Sequence, residues 1–317
     1  MDRRKEAGGR RKGARVLLCL TLFLLSPSSY LLPPASCLLP PSSFLLSPAS
    51  FLLSQENPLP DLDTVYTSVR ENLARAQRST HLYAFKERRT DLHTNVFGKL
   101  GTDGLRVFEV YPSPTVRLTY RRVIERNGMP VSAAELAQQD REYRERVMDA
   151  QRRPRANDSA AARQRGERMI ADVVETLQFA LTGRATRDGV QALVVTFSPK
   201  PNARPVTREG RIAQKFGGTV WIQESNFEVL RVEAKAVDDL SFGYGLVARL
   251  SEGTTALLVR EPVDDDIWMP TELRLTGRGR AALGLRRLVI DYVVEWFDYR
   301  RLPFESPAPF LDLEKSQ

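Results

Sequence analysis

Residues 228–237 read Glu-Val-Leu-Arg-Val-Glu-Ala-Lys-Ala-Val, so Leu230, Val232, Ala234 and Ala236 alternate with Arg231, Glu233 and Lys235. Successive side chains of a strand point to opposite faces, and a spacing of two therefore gives one apolar and one wet face. Working outward, the same spacing puts Leu288, Ile290, Tyr292, Val294 and Trp296 in a second apolar row. Further strands are expected over 82–88, 105–111, 116–126, 190–197, 218–224, 246–250, 256–261, 268–276 and 285–299. Turn clusters such as Gly101-Thr102-Asp103-Gly104 and Pro112-Ser113-Pro114 separate them in a meander, and 198–215, with Pro199, Pro201 and Pro205, reads as the longest loop. Strands joined by short turns pair antiparallel.

Three helices interrupt this pattern. The first, over 61–76, has Asp61 or Asp63 as cap, and Val65, Tyr66, Val69 and Leu73 recur at helical spacing. Ser132 followed by Glu135 is a capping box that starts a second helix running to Pro154. A third, over 161–181, puts Ile170, Val173, Val174, Leu177 and Leu181 on one stripe and stops at Gly183. The last two form a helical insertion over about 132–182. It is rich in arginine, with acids interleaved, which reads as a solvated helix face or, alternatively, as a patch for anionic lipid or an acidic partner. A sheet with one apolar face needs a cover, and these helices supply it. The expected fold is α+β and mainly β: a large curved antiparallel sheet forming an open half-barrel that clasps two to three helices.

The 317 residues carry a formal charge of +8. Seven of the 47 basic residues and two of the 39 acidic ones lie in residues 1–15, which leaves 40 and 37 beyond them, since 16–55 carry no charge. The basic balance belongs to the leader, and no nucleic-acid partner is expected. Arg3 to Arg15 followed by the apolar run 16–25 is the pattern of an export signal, too short for a span and followed by prolines. A cleaved signal is the reading, with an uncleaved N-terminal anchor as its alternative. From Leu24 a Leu/Pro/Ser-rich heptapeptide repeats to residue 53, and its prolines exclude a coiled coil. The domain division is thus 1–55 leader and repeat, 56–310 one folded domain, and 311–317 tail. Both cysteines, Cys19 and Cys37, lie in the leader. Pro34 stands where a lipoprotein signal has an aliphatic residue, which argues against a lipid anchor at Cys37. Beyond residue 55 there is no thiol for a disulfide, a nucleophile or a metal.

No nucleophile elbow, Walker loop or dinucleotide fingerprint is present. His81 and His93 lack metal-site spacing, and Gly277-Arg278-Gly279 reads as a turn. Asp264-Asp265-Asp266 lacks the alternation of a calcium loop and reads as a hairpin turn, as do Asp238 and Asp239. No cofactor, no metal and no catalysis is expected. The aromatic residues Trp221, Phe242, Tyr244, Trp268 and Trp296 fall on strands. They read as core, or, together with Ile170 and Leu177 of the third helix, as the wall of a cavity for an apolar ligand.

The stretches Leu118-Thr119-Tyr120-Arg121-Arg122, Gly218-Thr219-Val220-Trp221-Ile222, Phe242-Gly243-Tyr244-Gly245 and Trp268-Met269-Pro270, with Tyr111-Pro112-Ser113, resemble a group of uncharacterised exported bacterial proteins. These are similar to the periplasmic lipoprotein carrier LolA and the stress sensor RseB. The resemblance extends over 61–301 and implies a half-barrel capped by helices, whose apolar cavity takes up acyl chains. It implies a periplasmic, monomeric, non-enzymatic protein whose partner is a lipid or the acyl chain of a lipoprotein. The alternative it leaves is a sensor module that docks an envelope protein. It carries no functional residue over to this chain.

Overall fold

A computed structural model describes residues 58–94, 100–112, 119–152, 168–242, 248–265, 267–281 and 286–302. The leader and repeat over 1–55, Tyr244, Asp266 and the tail over 311–317 lie outside the described residues. Helix α1 (Leu62–Ser79) is capped by Asp61, whose carboxylate accepts from the backbone N–H groups of Asp63 and Thr64. After a 3₁₀ turn (Thr80–Leu82) come β1 (Tyr83–Thr94), β2 (Leu100–Tyr111), β3 (Tyr120–Arg126) and the short β4 (Met129–Pro130). Helix α2 (Ala133–Arg152) begins where the N–H of Glu135 donates to Ser132 Oγ at 3.3 Å, one arm of the expected capping box. Helix α3 is described over 168–176.

Strands β5 (Leu177–Arg187) and β6 (Val190–Pro199) follow, then the one-turn helix α4 (Arg208–Ala213). The chain closes with β7 (Phe216–Gln223), β8 (Val229–Ala236), β9 (Leu240–Phe242), β10 (Ala248–Leu250), β11 (Thr255–Asp264), β12 (Ile267–Ala281) and β13 (Arg286–Arg301). All belong to one 13-stranded sheet in the order β4-β3-β2-β1-β13-β12-β11-β8-β7-β6-β5, with β10 attached to β12 and β9 to β10. Every pair is antiparallel. Among the described residues strands β4 and β5 are the two ends and do not pair, so the sheet is an open half-barrel with few helices.

Several expectations need correcting. The stripe over 161–181 does not stay helical: Leu177 starts β5 and, with Phe179 and Leu181, pairs opposite Pro199, Phe197 and Val195. Gly183 is a strand residue just past a bulge rather than a helix cap. Gly101-Thr102-Asp103-Gly104 is a bulge within β2, because Asp91 pairs with Gly104 and Leu92 with Thr102. Gly277 and Gly279 lie inside β12, where a Cβ on Gly279 would stand 2.0 Å from the carbonyl oxygen of Arg249 in β10. Only glycine admits that approach of two backbones. The long loop contains α4, seated by Thr207, whose hydroxyl accepts from the N–H of Gly210 at 2.9 Å.

Alternation divides the sheet into two faces. On the inner face α1, α3 and α4 bury Val65, Val173 and Ala213 against Leu193, Val195, Phe216, Val220, Val232 and Leu258. On the outer face α2 buries Tyr143 and Val147 against Ala84, Tyr111 and Tyr120. Tyr120 and Tyr143 stack at 4.3 Å, and the Tyr120 hydroxyl donates to Asp140 Oδ1 at 2.7 Å. The helices therefore clasp the sheet from both sides, which a one-sided amphipathic pattern does not reveal.

Candidate functional site

The inner face over β5 to β8 and β11, with the stretches of β12 and β13 around Leu275, Leu288 and Ile290, belongs to the helix-covered core; beyond them, the Trp268 end of β12, the Trp296 end of β13, and β1 and β2 carry residues of a different kind. Phe85, Glu87 and Arg89 of β1 point inward with Val110 and Phe108 of β2, because each pair sits directly opposite in register. Trp296 faces Glu87 from β13, and a bulge at Asp298, which has φ 56, turns Tyr299 inward beside Phe85 at a ring separation of 5.2 Å. Trp268 reaches the same face through its pairing with Pro262, two residues beyond Arg260 and Pro270. Val110, Val294 and Leu273 are fully buried, whereas Phe85, Phe108, Trp268, Trp296 and Tyr299 are only half-buried and are not part of the helix-covered core. The result is an aromatic groove with an aliphatic floor.

Two ionic groups lie within that groove. Glu87 is 0% exposed and accepts hydrogen bonds from Arg89, from Arg121 Nη1 at 2.6 and 2.8 Å, and from the Trp296 indole at 3.1 Å. Burial pushes its carboxyl above the usual range, against the pull of Arg89. Glu228 accepts from Arg260 Nη1 at 3.0 Å, and Arg260 Nη2 donates to the carbonyl oxygen of Trp268 at 2.7 Å. Burial likewise raises Glu228. Tyr299, raised by burial and by the charge of Glu87, donates to the carbonyl oxygen of Pro270 at 2.6 Å. Each acid is spent on a guanidinium and each buried donor on an acceptor, so these groups fix the groove's walls and hold no nucleophile poised for reaction. Among the described residues no group of three or more His, Cys, Asp or Glu could hold a metal ion, and no helix is long and apolar enough to cross a membrane.

The residues expected to line a cavity do not converge. Trp268 and Trp296 share the groove. Leu177 is 1% exposed within the helix-covered core, on a strand, and Ile170 is half-buried on α3. Trp221 stands on the opposite face, because Val220 and Ile222 beside it point into the core; Arg187 stacks over its ring at 4.5 Å. Phe242 ends β9, and its side chain, like Tyr244, lies outside the described residues. Asp238 and Asp239 are the turn residues expected, paired with Lys215 and Arg249. Phe85, Glu87, Phe108 and Tyr299 were missed. Phe85 and Glu87 share a parity across Lys86, a signal available in principle, yet Phe-Lys-Glu-Arg-Arg gives no apolar row from which to choose the inner face.

No protein-family model matches the chain, and no curated protein matches it. Among solved structures, a DUF1329 family protein from Desulfovibrio piger aligns with 78% of this chain and 96% of its own, at 13% identity and a TM-score of 0.26. A domain assigned to outer membrane lipoprotein sorting in Vibrio parahaemolyticus aligns with 79% and 97%, at 10% identity and a TM-score of 0.30. A LolA superfamily protein from Nitrosomonas europaea aligns with 74% and 94%, at 12% identity and a TM-score of 0.25. These neighbours are of the kind the sequence resembles. At such scores they lend this chain no residue and no activity, and its fold rests on its own strand pairing.

Proposed function

We propose that the chain is an exported, non-enzymatic binding protein whose inner face over β12, β13, β1 and β2 holds the acyl chain of a lipid or of a lipidated protein. The observation that carries this reading is the row of half-buried aromatic side chains on the part of the inner face that lies beyond the helix-covered core. Aromatic residues bury large areas when covered, and apolar area removed from water is worth about 25 cal/mol per Å². An acyl chain laid along Phe108, Trp296 and Trp268 recovers that energy and offers nothing for the spent acids to react with. The leader supplies the compartment, and 56–310 is proposed as the folded unit that remains there.

A second reading, an envelope module that docks a protein, is favoured by one different feature: β5 is an 11-residue strand at the end of the sheet order, paired among the described residues with β6 alone. Such an edge accepts an added strand. The test is organic extraction of the purified protein followed by mass spectrometry, together with titration of a fluorescent fatty acid. Co-purified lipid and saturable binding weakened by Trp296→Ala support the carrier. An empty protein that binds no fatty acid overturns it.

A further inference from the structure

The outermost part of the inner core opens to solvent between α4 and the paired strands β9 and β10, in a cleft of about 520 Å³ whose charged lining residues are Arg208, Arg211, Lys215, Asp238, Asp239 and Arg249. Four cations and two carboxylates line it, a surplus of two positive charges. The carboxylates are already committed: Lys215 holds Asp238, and Arg249 Nε meets Asp239 Oδ2 at 2.9 Å while the N–H of Glu252 donates to its other oxygen at 2.9 Å. The surplus therefore resides on Arg208 and in part on Arg211, whose charge also acts on the Asp172 carboxylate. Arg211 spends one N–H on the carbonyl oxygen of Val206 at 2.9 Å, and Arg208 has no partner among the described residues. Beneath these guanidinium groups the floor is apolar. Leu240 is a buried member of the inner core, and Ile212 packs against it half-exposed. A second cleft of about 640 Å³ on α2 lacks both features, since Arg126 and Arg141 are balanced by Glu135 and Glu142 and its wall holds Gln138 and Gln139.

We infer that this cleft is a site for a phosphate-bearing amphiphile, the phosphate held between Arg208 and Arg211 and the first carbons of its apolar part lying on Ile212 and Leu240. The chemistry is that of paired guanidinium groups, whose planar forks match phosphate oxygens. The apolar floor distinguishes a lipid from a free ion. The site lies by β9 and β10, the latter paired with β12 at Gly279 and Ala281, whereas the aromatic groove begins at Trp268 near the other end of β12. It does not rest on the reading of that groove.

The experiment is calorimetric titration of the purified protein, at low salt, with inorganic phosphate and separately with dihexanoyl phosphatidic acid. The short-chain lipid is expected to bind roughly tenfold more tightly than phosphate, the equivalent of burying two methylene groups at about 0.8 kcal/mol each. Arg208→Gln, which breaks no contact, and the double variant Arg208→Gln with Arg211→Gln are expected to weaken lipid binding progressively, and Ile212→Ser to remove the advantage of lipid over phosphate. Unchanged thermal unfolding of Arg208→Gln separates lost binding from lost fold. Equal affinity for the two ligands assigns the cleft to free phosphate and overturns the lipid assignment. Binding unaffected by the arginine variants, or no binding of either ligand, overturns the site. Because the fatty acid of the groove test carries no phosphate and is read through Trp296, either site can fail while the other stands.

Discussion

The indole N–H of Trp296 donates to Glu87 Oε2 at 3.1 Å across the β1–β13 pair, joining the aromatic row of the groove to its buried acid. Glu87 also accepts from Arg89 and Arg121, so one fully buried carboxylate organises three side chains from β1, β3 and β13. Removing it leaves guanidinium groups without a counter-charge beside an apolar floor. Arg121 is 41% exposed and can turn to water, which limits the damage. Glu87→Ala is expected to cost about 3 kcal/mol, the lower end of the range for breaking a buried pair. Urea unfolding measures it, and a change within experimental error would show the acid to be dispensable.

Glu87 and Glu228 on one side and Asp172 on the other have opposite pH behaviour. Burial lifts Glu87 and Glu228 above their ordinary value of 4.5 against the pull of Arg89 and Arg260. For a carboxyl raised by folding, the native state prefers the proton, so its contribution is greatest below 4.5 and declines as pH rises through the raised value. Asp172 is the reverse case. Burial pushes it up, but the bonds from Thr207 and Val206 outweigh that and hold it below 3.8. Its contribution is full above 3.8 and is lost as pH falls through the lowered value. Unfolding measured across this range is therefore expected to show the advantage of the parent protein over Glu87→Gln shrinking as pH rises from 4.5, and its advantage over Asp172→Asn shrinking as pH falls below 3.8.

Asp172 also ties α3 to α4. Its Oδ1 accepts from the N–H of Val206 at 2.9 Å and its Oδ2 from the N–H of Thr207 at 2.7 Å, with the Thr207 hydroxyl on the same oxygen. Gly210 is required by this arrangement, since a Cβ there would stand 2.1 Å from Asp172 Oδ2 and 2.8 Å from Pro205 Cβ. Gly210→Ala is expected to destabilise by about 1–3 kcal/mol through overpacking, and Asp172→Ala by about 2 kcal/mol through lost hydrogen bonds. In Gly210→Ala combined with Asp172→Ala the two losses should be less than additive, because the first clash disappears with the carboxylate. Full additivity would show that the two residues do not act on each other.

The sheet was legible because its strands alternate, and the face of each residue follows from the strand it belongs to. Trp221 illustrates what that rule offers: Val220 and Ile222 are core residues of β7, so the tryptophan between them had to point outward. The stripe over 161–181 failed for a physical reason. Leu177 satisfies a helical spacing from Val173 and Val174 and equally a period of two with Phe179 and Leu181, and pairing with β6 decides between them. The position of α2 on the outer face was not legible at all, since Tyr143 and Val147 state only that one side of the helix is buried. Nor was the burial of Glu87, because two of the three partners that hold its charge, Arg121 and Trp296, are distant in sequence.

Leu177 tests the distinction between core and groove directly. It is 1% exposed among Val173, Leu193 and Phe197, and no counter-charge lies in that cluster. Leu177→Glu places an unpaired carboxylate in a packed interior, a cost of several kcal/mol. The variant is expected to lose its cooperative thermal transition, whereas Phe108→Glu, half-exposed in the groove beside Arg89, should retain a folded sheet. A Leu177→Glu protein that unfolds cooperatively near the parent temperature would mean that the core opens beneath α3.

The three tryptophans report on the two faces of the sheet. Trp268 and Trp296 lie in the groove, and Trp221 lies on the outer face under Arg187. A brominated fatty acid quenches indole fluorescence by contact, so the tryptophan it quenches locates the chain. In a form retaining only Trp296, through Trp221→Phe and Trp268→Phe, saturating ligand is expected to abolish most of the emission. In a form retaining only Trp221 it should leave the emission nearly unchanged. Trp296→Phe in that second form loses the bond to Glu87, a cost of about 1 kcal/mol, so thermal unfolding must first show both forms folded. Quenching of Trp221 with Trp296 spared would put the ligand on the outer face, against the groove reading. Equal quenching of both would mean adsorption without a site. Quenching confined to Trp296 requires the chain to lie on the inner face within contact of β13, where the half-buried aromatic row provides its surface.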